Sequence, residues 1–118
     1  MHIFTSGLIV LVAGLHLGFL VLEMFLWQKP LGLKTFRLSP EQAQMTAVLA
    51  ANQGLYNGFL AAGLLYGVIA GSLPFQIFFL TCVIIAGLYG GYSVNRRIIL
   101  IQSLPALIAL IFVLMPMP

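Results

Sequence analysis

A chain of 118 residues that is 62% hydrophobic and 6% charged, with a mean hydropathy of +1.14, lacks the polar surface that a soluble domain of this size presents to water. Two acidic residues against five basic ones give a net charge of +3, and no basic patch is interleaved with aromatics, so a nucleic-acid partner is excluded. The composition is that of an integral membrane protein: one all-α, polytopic domain, with a four-transmembrane-helix bundle expected over residues 3–27, 45–70, 75–93 and 98–115.

From Ile3 to Trp27 the chain is apolar except for Thr5, Ser6, His16 and Glu23. It has no basic n-region and no small-residue cleavage site, which reads as a retained span rather than a signal sequence. Gly14 and Gly18, four apart, predict close approach of another helix, and Trp27 suits the belt where indole rings sit at headgroup level. Residues 28–40 form the longest polar connection, mixing Lys29, Lys34 and Arg37 with Pro30, Leu31, Leu33, Phe36 and Leu38. That mixture suits a segment lying along the membrane surface. Ser39, Pro40 and Gln42 then supply an N-cap, a first-turn proline and a capping-box partner, so a helix starts here. If it runs to Ala70 it exceeds a minimal span, and its first turns, with Glu41, Gln42 and Gln44, reach into the headgroup layer.

Residues 71–74 form a tight, uncharged turn. Cys82, within the third span, is one cysteine without a partner and reads as a small packing residue. In the last span Pro105 predicts a kink that frees the carbonyl of Ile101. All five basic residues fall in the first and third connections. The positive-inside rule therefore expects a multi-pass protein of the bacterial cytoplasmic (inner) membrane, with segments 28–40 and 94–97 in the cytoplasm and both chain ends outside.

With that topology, a rise of about 1.5 Å per residue sets polar groups from four spans at one depth near the cytoplasmic side. They are Glu23, then Asn52, Gln53, Tyr56 and Asn57, then Tyr89 with Tyr92 and Ser93, then Gln102 and Ser103. At about 100° per residue, Asn52, Gln53, Tyr56 and Asn57 fall within one stripe about 140° wide, continued outward by Gly63, Gly67 and Gly71. That predicts a polar pocket open inward and closed outward by bare backbone. A second small-residue row, Ala51, Gly54, Gly58 and Ala62, falls on the back of the helix, which would let it touch neighbours on both sides and form a homo-oligomer.

Glu23 is the sole acid within a span, and intramembrane acids mark functional sites by default. His16 lies on the same face about 10 Å deeper, where it either relays a proton, lines the pocket floor or bonds a backbone carbonyl. Lipid offers carboxamides no partners, so this layer should face protein, water or a ligand. The bland alternative is that the amides fasten helix to helix, bonds worth about 0.6 kcal/mol on average in one measured case.

The segments Glu23-Met24-Phe25-Leu26-Trp27 with Pro30 and Phe36, Leu49 through Gly58 with its Asn-Gln-Gly-x-Tyr-Asn core, Ala86-Gly87-Leu88-Tyr89-Gly90, and Gln102 with Pro105-Ala106 together resemble one family. It is the uncharacterised group of small bacterial membrane proteins known only as a domain of unknown function. The resemblance covers nearly the whole chain and implies a four-helix membrane fold without an established activity. Ser103 stands where glycine is expected in relatives.

Function is thus expected at Glu23, Asn52, Gln53, Tyr56, Asn57, Tyr89, Gln102 and His16, as ligand-binding or proton-coupling groups. The favoured reading is an inner-leaflet pocket for a small molecule, in a small proton-coupled transporter. A membrane enzyme or lipid-binding protein using the same pocket, and a structural accessory subunit, stay open. No nucleophile dyad, metal cluster or phosphate loop is present, so catalysis rests on one carboxyl group, and no cofactor or metal is expected. The partners expected are membrane lipid and a small molecule of unknown identity.

Overall fold

The computed structural model describes residues 3–116. Its elements are α1 (Ile3–Met24), α2 (Pro30–Phe36), α3 (Pro40–Ile69), α4 (Leu73–Ser93), a π-helical turn (Ile99–Ser103) and α5 (Leu104–Leu114). The described residues contain no strand, so the chain is all-α. Two helices, α1 and α4, are long and apolar enough to cross a membrane, while Ile99–Leu114 is apolar but shorter. Helix α3 is the longest at 30 residues, yet its carboxamides and its polar first turn dilute its hydropathy. The chain divides into two compact units, Gly14–Phe59 and the described part of Met1–Ala13 with Leu60–Pro118.

In Gly14–Phe59, α1 stops at Met24, three residues before the expected Trp27, because the N–H groups of Phe25 and Leu26 both turn back to the carbonyl of Val21. Pro30 then starts α2, the one helix that composition did not suggest. Gly32 sits against the backbone carbonyls of Leu26 and Trp27, where any Cβ would collide. Arg37 ends α2 in the left-handed region at φ 55°. The capping box forms as its residues imply: the Ser39 N–H donates to Gln42 Oε1 at 2.9 Å, and the Gln42 N–H to Ser39 Oγ at 3.1 Å.

In the other unit, parts of four helices share an apolar core of Ile9, Val12 and Ala13, Ala61 and Leu64, Leu80 and Val83, and Ala106 and Ala109. Gly71, at φ +63°, closes α3 in a Schellman motif, with its own N–H on the Val68 carbonyl and the Ser72 N–H on that of Gly67. Ser72 caps α4 by accepting the Phe75 N–H. Gly63 and Gly67 lie against Phe79 and Gln76 of α4, the close contact that bare backbone permits. The irregularity expected at Pro105 takes the form of the π-helical turn just before it, in which the Leu104 N–H reaches back to the Ile99 carbonyl. A proline lacks the N–H that would bond four residues back, and one wider turn absorbs that loss. Close approach does occur at Ser103. Gly87 of the facing helix has no side chain to obstruct it, and Ser103 Oγ donates to the Ile84 carbonyl at 2.8 Å.

The pair Gly14 and Gly18 behaves otherwise than expected. Both face open space, with nothing within 4 Å of where a Cβ would stand. Helix α1 instead meets its neighbour through Leu20, Glu23 and Met24, because the partner α3 carries its own glycines at those levels.

Candidate functional site

The site is built within Gly14–Phe59 from the last turn of α1 and the middle of α3. Gly54 and Gly58 set the distance between them. A Cβ on Gly54 would stand 2.6 Å from Met24 Cγ and 3.1 Å from Glu23 Cβ, and one on Gly58 would stand 2.7 Å from Leu20 Cδ1. The row read as the back of α3 is therefore its contact face with α1. A helix settles on its smallest residues, since those allow the closest backbone approach, and the amide stripe is rotated accordingly.

That rotation brings in half of the stripe. Gln53 Nε2 donates to Glu23 Oε2 and Asn57 Nδ2 to Glu23 Oε1, each at 2.6 Å. Both carboxyl oxygens thus accept a hydrogen bond, from residues one helical turn apart. Glu23 is 4% exposed and Asn57 8%. Asn52 and Tyr56, the other half, are exposed, as Gln53 is, and neither reaches Glu23. The Tyr56 ring stacks edge-on against Phe59 rather than meeting Glu23.

His16 is fully buried, its ring edge-on to Phe19 at 5.3 Å. Tyr89 and Gln102 belong to the other unit, where Tyr89 is exposed and Gln102 half-buried.

A cleft of about 340 Å³ opens beside the carboxylate, lined by Glu23, Met24, Phe25, Trp27, Gln28, Lys29 and Ala47. Of these, Trp27 is held in place on two sides. The indole donates to Thr46 Oγ1 at 3.1 Å and packs on Phe36 of α2 with ring centres 4.7 Å apart. An acid and a lysine among apolar side chains in one cleft can hold a small polar solute and a proton. Among the described residues no group of three or more His, Cys, Asp or Glu is arranged to hold a metal ion.

Sequence reasoning passed over Gln28, Lys29 and Ala47, since none is polar and buried within a span. It also missed Gln76, which is fully buried in the other unit. Its Nε2 donates to the Gly67 carbonyl at 2.8 Å, while its Oε1 is buried without a partner.

An all-α chain, with two helices able to cross a membrane and a buried carboxylate clasped by two carboxamides, defines a small helical protein of membrane-like composition. The chain belongs to the family described as "Protein of unknown function (DUF1304)", which matches residues 10–114. It is similar to the uncharacterised protein YpaA of Lactococcus lactis subsp. lactis (strain IL1403), 34% identical over 94% of this chain and 97% of the relative. No solved structure matches it.

Proposed function

We propose that this is a polytopic membrane protein that binds a small polar or cationic solute in the cleft beside Glu23 and couples its movement to a proton carried there. Helices α1, α3 and α4 and the segment Ile99–Leu114 are the four spans of this reading, with the basic segments 28–40 and 94–97 in the cytoplasm and the chain ends outside. The observation that carries it is the conjunction at Glu23: a buried carboxylate with a donor on each oxygen that also borders a cleft. An acid serving only to fasten helices would need no cavity beside it. The two amides hold the carboxylate in place while leaving it open to exchange with the cleft, as a coupling group requires. Catalysis has less support, because the sequence carries no recognised nucleophile dyad, metal cluster or phosphate loop.

The test is solute-induced proton movement in proteoliposomes, followed with an internal pH dye across a panel of small amines, amino acids and quaternary ammonium ions. At least one solute should move protons with the wild type and none with Glu23→Gln. Proton movement that survives Glu23→Gln unchanged removes Glu23 from the mechanism.

A further inference from the structure

The outward side of helix α3 within Gly14–Phe59 is broad, with Leu49 and Tyr56 exposed on it, and one row along it is regularly spaced. Met45, Val48, Asn52, Leu55 and Phe59 are all exposed, Met45 by 84% and Val48 by 76%. Their spacing is 3, 4, 3 and 4, the period of a left-handed helix pair, with Met45, Asn52 and Phe59 at one core position of the heptad and Val48 and Leu55 at the other. Lipid-facing surfaces need no such spacing and have no use for an amide. The Asn52 side chain makes no hydrogen bond among the described residues, unlike that of Gln53 beside it. It lies six residues, about 9 Å, inward of Thr46, which the Trp27 indole marks as the headgroup level. At that depth acyl chains offer neither donor nor acceptor.

We infer that this row is the contact surface for a second copy of the same chain, paired in parallel through Asn52. An amide carries a donor and an acceptor on one group. Two copies of Asn52 facing each other across a twofold axis can therefore exchange two N–H to O=C bonds and satisfy one another. The row from Met45 to Phe59 holds no charge to oppose self-association. The clean bias of basic residues inserts every copy in the same orientation, so equal depths meet equal depths. A single asparagine at this heptad position fixes register and partner number where apolar residues alone leave both loose. The inference rests on α3 crossing the membrane as proposed above, and not on what Glu23 does.

The test is oxidative cross-linking in native membranes of single-cysteine variants on a Cys82→Ala background. Positions 45, 48, 52, 55 and 59 should give homodimer in high yield. Positions 17 and 21, exposed on α1 away from the row, should give little. Asn52→Leu should weaken self-association in bilayers by about sevenfold, the loss of two interhelical bonds of average strength. The monomer fold should be unchanged, since the Asn52 side chain bonds nothing within it. The inference is overturned by chains that stay in alkali-washed membranes yet fail to cross-link along the row, by equal or higher yields at 17 and 21, by cross-links to a different protein, or by undiminished association of Asn52→Leu. Chains released by the alkaline wash would instead refute the membrane placement itself.

Discussion

Asn57 donates its side-chain amide to Glu23 at 2.6 Å across 34 residues of sequence, and both residues are buried. A bond between an amide and a carboxylate in such surroundings is costly to break from either side, because the remaining partner keeps its desolvation penalty. Glu23→Ala leaves two amides without their acceptor. It should lower unfolding stability in mixed micelles by about 2–4 kcal/mol, with Asn57 supplying more of the loss than the exposed Gln53. A loss below about 0.5 kcal/mol would mean the clasp does not form.

The glycines of the two helices should respond in opposite directions. Gly54→Leu drives a side chain into Met24 and the backbone of Leu20, so it should destabilise by about 1–3 kcal/mol and disturb the Glu23 site. Gly14→Ala meets open space and should stabilise by up to about 1 kcal/mol through helix propensity alone. Denaturant unfolding of the two variants side by side reads both signs.

Gln76 offers a third contrast. Its Oε1 is a buried acceptor without a partner, while the Gly67 carbonyl that its Nε2 reaches already accepts the Ser72 N–H. Gln76→Met, of similar shape, removes an orphan and leaves none behind, so stability should change by less than about 1 kcal/mol in either direction. Gln76→Glu puts a charge in the same place and should cost more than about 2 kcal/mol. Thermal unfolding in detergent ranks the pair.

The basic segments give a topological prediction. Single cysteines at positions 33 and 95 should react with an impermeant maleimide only from the cytoplasmic side, and one at position 72 only from the outside. Labelling of 33 and 72 from the same side would contradict the proposed span of α3.

Much of this arrangement is legible in the residues themselves. The capping box of Ser39 and Gln42, the glycine turn at Gly71 and the disturbance ahead of Pro105 follow from local chemistry that operates within four or five residues. Glu23 and Asn57 stand out because lipid punishes polar groups that lack partners. The rotation of α3 about its own axis is less accessible. Four polar residues and two glycines compete for the contact face, and the closest backbone approach, at Gly54 and Gly58, decides in favour of Gln53 and Asn57 over Asn52 and Tyr56. Gly14 and Gly18 mislead for the same reason: a small residue permits contact only where a partner arrives. Helix α2 eludes the sequence because its proline start and short apolar stretch look like a connection until Gly32 is seen lying on the Leu26 carbonyl.

The central claim is that the Glu23 carboxyl, though buried by its own helices, communicates with the cleft beside Ala47. Its most direct test is reaction of the protein in native membranes with a membrane-permeant carbodiimide, mapped by mass spectrometry. The account predicts modification at Glu23 in the wild type, and its loss in Ala47→Trp, whose indole occupies the cleft. Modification confined to the exposed Glu41, or labelling of Glu23 indifferent to Ala47→Trp, would contradict it.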